Sequence, residues 1–469
     1  MESRTALERV KAILFKKSDG EDYEPLVPAE SVADLEEDGH EGQDDGRPGE
    51  SFSWLEYSIF MMLGVAMLWA WNMFLAAAPY FQSRFVNDEH ILASFQSAII
   101  SVGTITNLGS MLVLGNLQAK ASYPKRILSA LALNIIVFAL LSISTTYFRG
   151  ISAGGYLAFV LIMVFATSVA TGLCQNGAFA FASSFGRPEY IQAIMTGQGI
   201  AGVLPSVAQI VSVLAIPKQD NWSDNGPDNT GIPVDDTSTS AFVYFLTAMV
   251  ISAATLLAVL PLIRKHKLII ESQMMTSMTS IEEAERAMRT VVSMRALYKK
   301  LHWLAAAVFL CFTVTMFFPV FTGKVISVIP SDEAPRLLKP ATFIPLGFLF
   351  WNIGDLSGRL LTLHPATNLR QRPTILFIIS VLRIGHLPLY FLCNIHGNGA
   401  VINSDLFYLV VVQLSFGVTN GFLGSSCMMA AGEWVDDSER EAAGGFMAIN
   451  LVAGLTAGSL LSFAASSLN

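Results

Sequence analysis

Charge is scarce in this chain. Asp, Glu, Lys and Arg make up 14% of its 469 residues, where a soluble protein of this length carries about 25%. Cysteine is scarcer still. Cys174, Cys311, Cys393 and Cys427 all fall inside apolar runs without metal-ligand spacing, so neither a disulfide framework nor a zinc site is expected, and the thiols are read as small buried hydrophobes. No amino-terminal signal peptide is visible, because the first apolar run begins only after Ser53; insertion then rests on the first membrane helix. There is no P-loop, no HExxH and no Cys/His pair at zinc spacing. An ATP-driven or metal-dependent mechanism finds no support, and no cofactor is expected.

What the sequence has in abundance is apolar length. It is 52% hydrophobic, with a mean hydropathy of +0.51, and runs of about 20 apolar residues recur throughout. The fold class is therefore an all-α polytopic membrane protein. Eleven spans are expected, at about 54–80, 91–116, 126–147, 154–183, 190–215, 241–263, 302–328, 341–363, 373–395, 404–431 and 442–465. The charged segment 264–301, rich in helical spacing, separates a six-helix bundle (54–263) from a five-helix bundle (302–469). Residues 1–53 hold 15 acidic against 6 basic residues, so the net charge of −8 belongs to this tail, which is expected to be disordered. Within it, Leu7–Phe15 is a short amphipathic piece, and Tyr23-Glu24-Pro25-Leu26 resembles a sorting signal for adaptor proteins.

Orientation follows from counting cations. With the amino terminus in the cytoplasm, the cytoplasmic segments hold 21 Lys and Arg and the opposite side holds 6, the bias of the positive-inside rule. The one sequon, Asn221-Trp222-Ser223, then falls on the lumenal or external side, where Asn221 is a glycosylation candidate, and the carboxyl terminus lies on that side too.

The residues that carry chemistry are the polar ones inside the spans. Asp355 and Arg359, four apart in the eighth span near Asn352, share a helix face and can pair. An ionisable group at that depth costs about 3 kcal/mol or more unless paired or facing water. A carboxylate beside a guanidinium suits a polyhydroxylated solute such as a sugar ring; a structural ion pair is the alternative. In the first span, Trp71 can stack on a planar ring, and Asn72 needs a partner. The fourth span carries Gln175 and Asn176, whose amides match the hydrogen-bonding edge of a base. Adjacent residues point about 100° apart, so only one faces a given cavity. Gly197 and Gly202 in the fifth span are read as packing and movement positions, and Arg383 in the ninth as a structural or gating contact able to snorkel. His386 is an interior histidine or a proton carrier; Asn420 lies mid-span in the tenth.

The motifs taken together resemble the equilibrative nucleoside transporters. WNMFLAAAPYF in the first span, GQGIAG in the fifth, WNIGDLSGR in the eighth, RIGHLPLYFLCN in the ninth, TNGFL in the tenth and EREAAGGFMA before the last match that family in order and spacing. The resemblance implies a major-facilitator-like fold of six and five helices and a facilitative carrier of purine and pyrimidine nucleosides, extending to nucleobases. It implies that Asp355 and Arg359 hold the ribose, that Trp71 with Leu68 and Leu75 packs on the nucleoside, and that Gln175 or Asn176 addresses the base. It implies no enzyme activity and no nucleic-acid partner. A proton-linked carrier of an acidic organelle and a nucleoside-binding sensor are the alternatives; the tail tilts localisation toward a vacuolar or lysosomal membrane over the plasma membrane.

Overall fold

The computed structural model describes residues 52–117, 122–148, 150–215, 234–274, 292–330 and 334–466. Leu7–Phe15, Tyr23–Leu26, Asn221, linker residues 275–291 and the last three residues lie outside the described residues. Trp54–Asn469 forms one compact unit. Its helices are α1 (Trp54–Ala76), α2 (Ala78–Phe85), α3 (Glu89–Asn116), α4 (Tyr123–Tyr147), α5 (Ala153–Ser184), α6 (Pro188–Ala215) and α7 (Val234–Met274). After the linker come α8 (Met294–Thr315), α9 (Phe318–Thr322), α10 (Pro340–Leu361), α11 (Pro373–Leu382), α12 (His386–Tyr390), α13 (Ser415–Ala430) and α14 (Arg440–Ser466). Among the described residues the only extended pairing is an isolated bridge between Val325 and Ile395.

Among the described residues, ten helical stretches are long and apolar enough to cross a membrane. The eleventh long helix, α10, has 22 residues; Asn352, Asp355 and Arg359 keep its hydropathy below that of the others. A helix covers each of the eleven expected stretches, ten of them as candidate spans; four are interrupted, and proline causes three of the breaks. A proline ring clashes with the carbonyl four residues back and offers no N–H to it. Pro79 thus opposes Leu75 and divides α1 from α2, while Pro319 opposes Thr315, the last residue of α8. Pro388 opposes Ile384, and the ninth span passes through a 3₁₀ turn at Arg383–Gly385 before α12. The tenth opens as a π-helix, Phe407–Leu414, and then tightens into α13.

Within lipid, helices gain little from apolar contact and associate through close packing. Here α1 crosses α6 where Gly64 and Gly197 bring backbone onto backbone, and α10 crosses α13 through Gly354, Gly358, Gly417 and Gly421. Any side chain at Gly421 would collide with the Asp355 carbonyl, so this crossing sets the position of Asp355. Aromatic clusters fill the space on either side. Phe74, Phe81, Phe138 and Phe245 pack among α1, α2, α4 and α7, and Phe318, Phe343, Trp351, Tyr390 and Phe416 pack among α9 to α13. The halves meet where α6 lies along α10 and α13, and where α14 lies along α3 and α5.

Candidate functional site

The helical spacing of Asp355 and Arg359 delivers the pair the sequence suggested. Arg359 Nε donates to Asp355 Oδ2 at 2.7 Å, with Asp355 only 4% and Arg359 5% exposed. Desolvating both charges is costly, and the further hydrogen bonds offset it. Asn420 Nδ2 of α13 donates to Asp355 Oδ1 at 2.6 Å, while Arg359 Nη1 donates to the Met195 carbonyl of α6 at 2.6 Å. The ion pair therefore bonds to α13 and to α6, which lie on opposite sides of the linker in sequence. A carboxylate offers about four lone-pair sites, so two remain for an incoming donor.

Asn352 is engaged elsewhere. Its Nδ2 donates to Ser206 Oγ at 3.1 Å and to the Phe348 carbonyl at 2.9 Å, and its Oδ1 lies where a side chain at Gly202 would begin. Of the two glycines singled out, Gly197 faces α1 and Gly202 faces α10; the nearby Gly199, whose Cβ would lie 3.1 Å from Arg359 Cδ, also faces α10.

On α1, Leu68 and Trp71 are half-buried and Leu75, one turn on, is 46% exposed. The Trp71 ring lies against Gly103 of α3, beside Ser168 of α5. Trp69 points away and donates from Nε1 to Thr247 Oγ1 at 3.2 Å. Asn72 finds a helix partner: its Nδ2 donates to the Ala201 carbonyl at 2.8 Å. That carbonyl sits four residues before Pro205, which has no N–H to give it.

The two amides of α5 separate. Asn176 Oδ1 accepts a short hydrogen bond from Arg126 Nη1, and Asn176 packs against Gly445 of α14. Gln175 is 6% exposed, yet its Oε1 has no partner among the described residues, which is costly for a buried polar atom. Asn107 Oδ1, close to Gly172 one turn before Gln175, is likewise unpartnered.

Arg383, expected as a structural or gating contact able to snorkel, stays inside: it is 1% exposed, and its donors reach the Cys311 and Phe416 carbonyls and the Thr315 and Thr419 hydroxyls. His386 is a bonded interior side chain, with Nδ1 3.3 Å from the Arg383 carbonyl and Nε2 3.2 Å from Ser415 Oγ. Sequence reasoning missed Arg126, Gln192 and Thr315. Gln192 Nε2 donates to the Arg359 carbonyl at 3.3 Å and its Oε1 accepts from Tyr57. A lone glutamine in an apolar run was the available signal for Gln192, whereas Thr315 in CFTVT offered almost none.

Solved structures of similar fold include a major facilitator superfamily transporter. A proton:xylose symporter, XylE, matches with a TM-score of 0.59 at 11% identity, covering 88% of each chain. A bacterial homologue of the iron transporter ferroportin matches with a TM-score of 0.56 at 11% identity, over 89% of this chain and 92% of that one. A family model described as nucleoside transporter matches residues 161–466. Among curated relatives, the nucleoside transporter FUN26 of Saccharomyces cerevisiae is 31% identical, covering 87% of this chain and 83% of that protein. Equilibrative nucleoside transporter 1 of Homo sapiens is 26% identical, over 86% and 95%. The chain belongs to the nucleoside transporter family, and it is a multi-pass membrane transporter rather than an enzyme.

Proposed function

We propose that this protein is a facilitative carrier of nucleosides, and also of nucleobases, that works by alternating access between a bundle of α1–α7 and a bundle of α8–α14. The observation that carries the reading is the buried Asp355–Arg359 pair in a chain of this family, bonded at one end to Asn420 and at the other to Met195 across the seam between α10 and α6. In this account the pair holds the ribose diol: Asp355 accepts from its hydroxyls and Arg359 donates to its oxygens. Leu68, Trp71 and Leu75 form the wall against which the nucleoside packs, and Gln175, whose oxygen is unpartnered, reads the base. Asn176, held by Arg126, and Asn352, held by Ser206, act as braces.

The Arg359–Met195 bond makes the unliganded clamp a latch as well. A ligand that draws Arg359 onto its ribose releases α6 from α10, which couples binding to the opening of the seam. The cation bias of the loops supports a cytoplasmic amino terminus. Counterflow in proteoliposomes tests the function: vesicles preloaded with unlabelled uridine should transiently accumulate labelled uridine above its equilibrium level. A nucleoside-binding sensor gives binding without this overshoot, and that result would exclude a carrier.

A further inference from the structure

Arg383 poses a question that the clamp alone leaves open. A fully buried guanidinium inside a membrane span is expensive, yet among the described residues no carboxylate touches it. What it touches leads back to Asp355. Arg383 Nη1 lies 3.0 Å from Thr315 Oγ1 and 3.3 Å from Cys311 Sγ, and both of those atoms lie against Asn420 Oδ1, at 2.6 and 3.5 Å. Asn420 then donates from Nδ2 to Asp355 Oδ1.

The donor end of this chain is fixed by chemistry, and the shortest contacts give the rest its direction. A guanidinium has donors and no acceptor, so the Thr315 hydroxyl must accept from it and has its own proton to pass on. Two acceptors lie within reach of that proton, the Cys311 carbonyl at 2.8 Å and Asn420 Oδ1 at 2.6 Å; the carbonyl also receives Arg383 Nη1 at 2.6 Å, and the shorter contact is the one to Asn420. The Cys311 thiol bridges with the same polarity. An amide that must accept with its oxygen presents its NH₂ to the other side, where Asp355 lies. Were the amide reversed, its oxygen would face the carboxylate and repel it.

We infer that Arg383 is a positioning residue for the ribose clamp, acting through Thr315 to hold the Asn420 amide in the one orientation that donates to Asp355. Asp355 Oδ1 is thereby fixed from α13 and Oδ2 from Arg359, which leaves each oxygen a lone pair with which to accept from a vicinal diol. This inference rests on the proposal that the substrate is a nucleoside held by its ribose.

The test compares uptake of uridine with that of 2′,3′-dideoxyuridine, which lacks the diol, in proteoliposomes of the full chain. Wild type should favour uridine; if it transports uridine without that preference, the ribose-clamp proposal itself fails. In Thr315→Val, which removes the hydroxyl at nearly constant volume, the KM for uridine should rise about five- to tenfold, a typical effect of one lost hydrogen bond to a charged network. The KM for the dideoxynucleoside should stay within about twofold by the same argument, and Thr315→Ser should behave as wild type. Arg383→Lys, which keeps a donor without an acceptor, should retain more of the preference than Arg383→Gln, which can reverse the polarity. An equal rise for both substrates in Thr315→Val, or no rise in either, overturns the relay. If Thr315→Val fails to insert, Thr315→Ala carries the same two predictions and the same contradicting results.

Discussion

A side-chain amide in a membrane span is either bonded or available, and Gln175 and Asn176 divide along that line. Asn176 accepts from Arg126, whereas the Gln175 oxygen has no partner. Gln175→Leu should therefore change selectivity, raising KM for at least one base class by about tenfold, with little change in thermal midpoint. Asn176→Leu should do the opposite, lowering the midpoint by several degrees because a buried guanidinium loses an acceptor worth about 1.5–3 kcal/mol. Uptake kinetics beside a detergent melting curve separate the two; equal effects would mean that neither amide reads the substrate. Trp71→Ala should raise the uridine KM by about five- to a hundredfold, since stacking on a base is worth about 1–3 kcal/mol. An unchanged KM would make Trp71 a packing residue. Residue types were legible in the sequence at all three positions. Orientation was not, because it depends on what the neighbouring helices offer: Arg126 comes from α4 and Gly103 from α3.

At the scale of the element, proline decides more than hydropathy shows. The sequence located the long apolar helices but gave no sign of where they break, because an apolar run has the same hydropathy whether or not its hydrogen-bond ladder is interrupted. Pro79, Pro319 and Pro388 divide three of them. Pro205 remains inside α6 and leaves the Ala201 carbonyl to Asn72. Asn72→Leu should cost about 1–3 kcal/mol by stranding that carbonyl, and Pro205→Ala in the same chain should recover part of the loss by restoring an N–H. A double-mutant cycle on thermal stability measures this coupling; purely additive effects would show that the two residues act independently. Arg383, at the start of the 3₁₀ turn, is buried, a placement that depends on the neighbouring helices and that the sequence of the ninth span does not reveal.

For the whole molecule, the Asp355–Arg359 pair was legible because two charges at helical spacing in an apolar run have few ways to be stable. Its partners were not, since Asn420 and Met195 are distant in sequence and arrive only when α13 and α6 pack on α10. The assembled network contains one carboxylate, and His386 is already bonded to Arg383 and Ser415, an arrangement suited to facilitation. Imposing a pH gradient should leave initial uridine uptake unchanged within about twofold, whereas a gradient-driven accumulation would require a proton-carrying group. The claim on which everything else depends is that Asp355 holds the substrate. Labelled uridine uptake by Asp355→Ala in proteoliposomes, at matched amounts of inserted protein, tests it most directly. The account predicts loss of uptake to the level of empty vesicles, while uptake at the wild-type rate would contradict it.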